Sequence, residues 1–201
     1  MSPDGRLGTR EILRRFLQQE GLDIPLHEAW VKPDRQRLGA LCFVEHQGRV
    51  LMLQRRKEPL FGYWTAPGGK LERHEDPRQA IGREIGEETG LCLRSARLQL
   101  VVSELSPDLS YNWLLFVFRG AVDTDRLTES QEGPVRWVPL AELPKLDMAA
   151  IDVQLLPFVY DDHRRYLIHI FFDRPPEGKI VRVDAFPKMK TCSPDRHDTA
   201  L

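Results

Sequence analysis

The sequence predicts an α/β fold, a mixed β-sheet covered by helices on both sides. Three observations lead there. Strand-like and helix-like segments alternate along the chain without internal repeats. No linker is long enough to require two domains. The chain has 201 residues, 41% hydrophobic and 29% charged, which suits one core of ordinary size in a soluble globular protein.

Residues 1–8 read as disordered. Thr9 is placed to cap a helix running to about Gln19, with Ile12, Leu13, Phe16 and Leu17 on one side and Gly21 as its stop. A connector over 22–36 contains Pro25 and Pro33. The strand-rich core begins at Leu38, where LGALCFV (38–44) and VLMLQ (50–54) flank the tight EHQGR turn of a hairpin. An aromatic, glycine-containing loop follows, PLFGYWTAPGG (59–69). RLQLVVSEL (97–105) and YNWLLFVFRGAV (111–122) are two further strands joined across SPDLS, and VRWV (135–138) is a short one. A second helix is expected over 147–159. RYLIHIFFD (165–173) and KIVRVD (179–184) around RPPEG form a final hairpin, with a tail from about 186. The expected organisation is an N-terminal helix and connector over 1–36, a core domain over 37–160, and a hairpin extension with tail over 161–201.

The formal net charge is −1, so no global field draws the chain to nucleic acid or to an anionic membrane. A single N-terminal helix also lacks the partner that a helix-turn-helix needs. The N-terminus has no apolar signal region, and no run spans a bilayer. Cys42, Cys92 and Cys192 are widely spaced and form no CxxC pair, which argues against structural zinc or a disulfide framework. Cys42 and Cys92 lie in apolar surroundings and are expected to be small core residues. A reducing cytoplasm fits best.

The chemistry concentrates in GGKLERHEDPRQAIGREIGEETGL (68–91). Asp76 before Pro77 is a helix start, Gln79 completes a capping box, and Gly90 supplies the left-handed stop, which predicts a helix over about 77–89. Glu84, Glu87 and Glu88 fall within roughly 100° of one another on it, where like charges repel. Ile81 and Ile85 lie beside them and can turn inward. Gly82 and Gly86 lie opposite, each costing about 1 kcal/mol against alanine, and are expected to admit the close approach of another element. A solvated acidic face is the plain alternative. The glycine-rich far side and the preceding Pro-Gly-Gly loop favour instead a Mg²⁺ or Mn²⁺ site acting on phosphate oxygens, because hard divalent cations relieve clustered carboxylates.

Gly69, five residues, Glu75, seven residues, then Arg83-Glu84-Ile85-Gly86-Glu87-Glu88-Thr89-Gly90-Leu91 resembles a complete Nudix box with every fixed position filled. The resemblance covers about residues 37–160 and implies a Nudix α/β/α sandwich. It implies that Glu84, Glu87 and Glu88 bind Mg²⁺ or Mn²⁺ with the Gly69 carbonyl, and that one of these glutamates takes a proton from the attacking water. Glu75 would pair with Arg83 and hold the loop to the helix. The implied reaction is hydrolysis of a nucleoside diphosphate linked to another group, without a covalent intermediate.

Within that family GYWTAPGGKLERHE and ESQEGPVRWVPLAELP resemble the MutT-type branch, which includes oxidised-purine nucleoside triphosphatases. That likeness implies phosphate contact by Arg55 or Arg56, for which a solvated strand end is the alternative. It also implies a carboxylate near the metals at Glu132 and a purine contact at Asp152, where an exposed glutamate and a helix cap or surface aspartate are the alternatives. The sequence departs from the branch at Ala149, Ile151 and Thr65, where an aromatic residue, a second acid and a base-reading asparagine would stand. Phe61, Tyr63 and Trp64 remain as base-stacking or core candidates. The expected substrate is a nucleoside triphosphate such as 8-oxo-dGTP. Pro107 resembles a feature of ADP-ribose pyrophosphatases, dinucleoside polyphosphates are a third option, and a non-catalytic nucleotide sensor is the alternative of another class. A homodimer contact or a lid would give the two end segments a use.

Overall fold

The computed structural model describes residues 7–58, 60–107, 112–128, 130, 132–173 and 179–189. The turn expected at RPPEG, the tail beyond Met189, and most of the segment joining the two central strands lie outside them.

Helix α1 (Thr9–Gln19) follows from its apolar stripe: Leu13, Phe16 and Leu17 are buried, while Glu11 pairs with Arg14 at 2.8 Å and Arg15 at 2.7 Å on the wet side. Its N-cap is Gly8 rather than Thr9, and no side chain caps it. Gly21, at φ 65°, turns the chain away. The connector contains one short helical turn, α2 (Leu26–Ala29), which the proline-rich sequence does not announce.

Strands β1 (Arg37–His46) and β2 (Arg49–Gln54) form the expected hairpin. Gln47 and Gly48 both take positive φ between the paired His46 and Arg49, the geometry of a type I′ turn. The segment expected as a loop over 59–69 instead holds two short strands. β3 (Trp64–Thr65) pairs with β2, and β4 (Gly68–Lys70) pairs with β1. Strands of two and three residues are too short to display an alternation. After α3 (Pro77–Thr89) come β5 (Ser95–Leu105), β6 (Trp113–Ala121) and β7 (Val135–Pro139). A 3₁₀ segment over Leu140–Lys145 then leads to α4 (Ala150–Val159). β8 (Arg164–Phe172) and β9 (Ile180–Met189) close the chain, and β9 occupies residues expected to begin the tail.

The nine strands of the described residues form one mixed sheet ordered β3-β2-β1-β6-β5-β8-β9, with β4 beside β1 and β7 beside β2. β1 runs parallel to β6 and β5 parallel to β8, and the other pairs are antiparallel. One apolar layer joins α1 and α3 to a sheet face through Leu13, Phe16, Ile81, Ile85 and Phe116. The opposite layer joins α4 to the other face through Phe43, Leu100, Val102, Leu155 and Ile168. The C-terminal hairpin extends the sheet, and α1 is part of the core. Glu20 at the end of α1 ties these parts together, because its carbonyl accepts from the buried Arg165 of β8 at 2.7 Å and its carboxylate pairs with Arg78 of α3. Cys42 is buried as expected, but Cys92 is exposed, since its strand does not start until Ser95. No helix among the described residues is long and apolar enough to cross a membrane.

Phe16 is 2% exposed and meets Phe116 edge-on at 5.6 Å. Phe16→Ala is expected to lower unfolding free energy by about 3–5 kcal/mol. Chemical denaturation measures it, and a loss below about 1 kcal/mol would mean that α1 is not part of the cooperative core.

Candidate active site

Helix α3 begins with a complete capping box. The Asp76 carboxylate accepts from the backbone N–H of Arg78 at 2.7 Å and of Gln79 at 2.9 Å, and the Gln79 side chain accepts from the Asp76 N–H at 2.9 Å. Gly90 ends the helix at φ 72°. Ile81 and Ile85 are fully buried beneath it, which fixes its rotation. Gly82 faces open space and Gly86 meets only the Leu91 carbonyl, 4.0 Å from where a Cβ would stand, so the expected close approach of another element does not occur there. The cavity-lining glycines that carry packing are Gly68 and Gly69. A side chain on Gly68 would strike the Ala40 carbonyl of β1, and one on Gly69 would occupy the place of the Glu84 carboxylate.

This rotation turns Glu84 and Glu88 into a cavity of about 660 Å³ on the α4 side of the sheet. Glu88 is 7% exposed, and one of its oxygens accepts from the Gly68 N–H at 3.0 Å. Burial, then the neighbouring Glu84 charge, push its carboxyl up to about 8. Glu84 is also raised, by burial first, although the adjacent Arg83 opposes the shift. Glu87 does not line the cavity. Its side chain is 61% exposed and lies 3.2 Å from Arg83. Among the described residues, no group of three or more His, Cys, Asp or Glu side chains already converges on one point.

Arg83 and Glu75 stand behind the cavity. The guanidinium donates to both Glu75 oxygens, at 3.0 and 3.1 Å, and to the Lys70 carbonyl at 3.1 Å, and it lies 3.0 Å from Glu84. The Glu75 pair raises the Arg83 pKa. Burial pushes Glu75 upward, but the Arg83 bonds outweigh it and leave the carboxyl below its ordinary value. One arginine thus joins the loop after β4 to the acidic helix.

Gly69, Arg55, Arg56, Thr65, Glu132 and Asp152 also line the cavity. Arg55 acts electrostatically on both Glu88 and Asp152. The Arg56 N–H donates to the Glu132 carbonyl at 3.2 Å, and the Glu132 carboxylate pairs with Lys57 at 2.9 Å. Asp152 lies in the first turn of α4 rather than at its cap, which is Ala149, and it is 5% exposed. Burial pushes its carboxyl up to about 6 against the Thr65 hydroxyl bond and Arg55. Trp64 is not in the cavity wall; Arg136 stacks over its ring at 4.2 Å. Phe61 and Tyr63 are exposed.

Sequence reasoning missed Glu104. It lies on β5, is 6% exposed, and lines the same cavity. Its signal is alternation, since Leu100 and Val102 face the α4 layer and the next residue in phase is an acid where an apolar side chain belongs. Lys57, Lys70 and Arg37 add positive charge to the cavity wall. The result is one cavity lined by carboxylates, bare glycine backbone, cationic side chains and two buried acids.

The model of the NUDIX domain matches residues 34–159. An uncharacterized Nudix hydrolase, YvcI of Bacillus subtilis, is 31% identical over 144 residues, 70% of this chain and 88% of that protein. The 8-oxo-dGDP phosphatase NUDT18 of Mus musculus is 29% identical over 143 residues, 69% of this chain but only 43% of that protein. The crystal structure of a MutT protein from Bacillus halodurans superposes with a TM-score of 0.62 at 28% identity, covering 74% of this chain and 97% of that one.

Glu88 ionises near 4.5 in an unfolded chain but keeps its proton up to about 8 in the fold. Its contribution to stability is therefore whole below about 4.5 and is lost as pH rises to about 8; Glu84 and Asp152 are raised and act in the same sense. In chelator-treated protein, melting temperature should fall across that window, and Glu88→Gln should flatten the slope. A variant with an unchanged slope would contradict the burial argument.

Proposed function

The chain belongs to the Nudix family of hydrolases, and from that premise we propose that it is a divalent-cation-dependent pyrophosphohydrolase. It splits a nucleoside triphosphate, with an oxidised purine nucleotide such as 8-oxo-dGTP as the preferred substrate, into a monophosphate and pyrophosphate. The observation that carries this reading is the placement of Glu84 and Glu88 against Gly68 and Gly69 in a cavity that Asp152 also lines.

The residues present fit a hard cation. The donors are all oxygens, and both cavity carboxyls are raised by burial, with Arg83, Arg55 and one backbone N–H in partial compensation only, a strain that a divalent ion relieves. Glu84, Glu87 and Glu88 would hold Mg²⁺ or Mn²⁺ with the Gly69 carbonyl, and Glu132 stands near as a further carboxylate. Such an ion withdraws charge from phosphate oxygens and acidifies bound water. Glu87 reaches this set by leaving Arg83, a contact between exposed groups that costs little to break.

The chain's own groups do the rest. Arg55, Arg56, Lys57 and Lys70 orient the phosphates along the cavity wall. One of the box glutamates takes the proton of the attacking water. Arg83 fixes the Glu75 loop and the helix in one register, so that the Gly69 carbonyl and the Glu84 carboxylate stay together. Asp152, steadied by the Thr65 hydroxyl, meets the base. The mouse relative's name adds a second reading, release of phosphate from an oxidised nucleoside diphosphate.

Product analysis with Mg²⁺ distinguishes these reactions across 8-oxo-dGTP, 8-oxo-dGDP, dGTP, ADP-ribose and diadenosine tetraphosphate. Pyrophosphate and 8-oxo-dGMP from 8-oxo-dGTP are expected, with Glu88→Gln lowering kcat at least about 10²-fold. AMP from ADP-ribose as the main product would assign a different substrate, and binding without turnover of any compound would make the protein a sensor.

A further inference from the structure

The loop between β4 and α3 carries Glu75, the partner of Arg83, and one residue of that loop sits against its own backbone preference. The Glu75 N–H donates to the Glu72 carbonyl at 3.3 Å, closing a turn in which His74 is the third residue and takes φ 69°. Turns reserve that conformation for glycine or asparagine, because a larger side chain crowds the backbone there. A loop selected only for stability would place one of those two at position 74. An outlier of this kind points to a use for the side chain.

His74 is half-buried, and its Nδ1 lies 3.3 Å from the Leu7 carbonyl. A carbonyl only accepts, so Nδ1 carries the hydrogen. Leu7 lies in the segment that the sequence reads as disordered, two residues before α1. That helix is a firm support, since Leu13, Phe16 and Leu17 are sunk in the apolar layer that also takes Ile81 and Ile85 of α3. The loop itself is pinned where it begins, by the Leu71 N–H on the Leu38 carbonyl at 3.1 Å, and where it ends, by the Asp76 cap. Between those pins, residues 72–75 make hydrogen bonds to one another and to Arg83. Among the described residues, the bond from His74 to Leu7 is the one that reaches beyond this loop and α3.

We propose that His74 is a positioning residue, a strap by which the segment before α1 holds the Glu75 turn against Arg83 and so leaves the acidic helix free to take a divalent cation. This rests on the cation-dependent reading given above. The line of contacts runs from the Leu7 carbonyl to His74 at 3.3 Å, then from Glu75 to Arg83 and from Arg83 to Glu84, each at 3.0 Å. Arg83 also lies 3.2 Å from Glu87. With Glu75 in place, the guanidinium spends two donors on that carboxylate. With the turn released, the same donors fall to Glu84 and Glu87 and compete with a cation for their oxygens. The strap thus acts through Arg83 and touches neither cation nor substrate.

Two substitutions separate the strap from the strain. His74→Gly suits the left-handed backbone but has no donor, whereas His74→Asn suits it and carries an amide N–H close to the place of Nδ1. Hydrogen exchange of residues 71–76 in chelator-treated protein reads the loop without metal, and electron paramagnetic resonance of free Mn²⁺ reads cation affinity without turnover. In His74→Gly the loop should exchange at least about threefold faster, although its backbone is relieved, and Mn²⁺ should bind about tenfold more weakly. His74→Asn should match wild type in both. The inference is overturned if His74→Gly exchanges like wild type, if it exchanges faster yet binds Mn²⁺ as tightly, or if His74→Asn is as loose as His74→Gly. Wild type that binds no Mn²⁺ would strike the cation reading, and the exchange rates alone would then decide whether the strap exists.

Discussion

The contact on which the site depends is that of α3 with the Gly68–Gly69 backbone. Glu88 accepts the Gly68 N–H at 3.0 Å, and the Glu84 carboxylate fills the space that a side chain on Gly69 would need. Everything functional is measured from this contact. β4 carries the two glycines because it pairs with β1, with Ala40 opposite Gly69 and Leu41 opposite Gly68. The helix arrives at the right rotation because Ile81 and Ile85 are sunk in the apolar layer below. Arg83 then bolts the loop to the helix through Glu75 and the Lys70 carbonyl. Like charges that would repel in an exposed helix are held together by packing that works on other faces of the same residues.

Much of this was legible in the sequence because it is local. The capping box of α3, its left-handed stop, the buried pair Ile81 and Ile85, and the β1–β2 hairpin with its Gln-Gly turn are each fixed by neighbours in the chain. The resemblance to a family pattern pointed to the acidic helix and to Asp152. Features set by distant partners were not legible. β3 and β4 have two and three residues, and only their pairing with β2 and β1 defines them. Gly82 and Gly86 looked like contact points by helical geometry, but no element packs on that face. Glu87 shares a helical sector with Glu84 and Glu88, yet Arg83 draws it outward. Glu104 was legible as a break in strand alternation, but not that it shares a cavity with Asp152, which arrives 48 residues later from α4.

The two ends of the chain serve the same frame. α1 fills one face of the sheet, and Glu20 links it to both α3 and β8. The hairpin β8–β9 widens the sheet beside β5 and brings Phe172 to the cavity. The cavity thus draws on elements from β1 to β8, with α3, the β2 exit, β5, α4 and β8 all lining it.

In the proposed reaction, the repulsion between Glu84 and Glu88 is tolerated because a divalent cation relieves it. The most direct measurement is the anomalous scattering of Mn²⁺ in crystals grown with the ion. A peak bounded by Glu84, Glu88 and the Gly69 carbonyl is expected, with the Glu87 side chain turned away from Arg83. Mn²⁺ bound only elsewhere, with Glu84 and Glu88 keeping their present contacts, would contradict it.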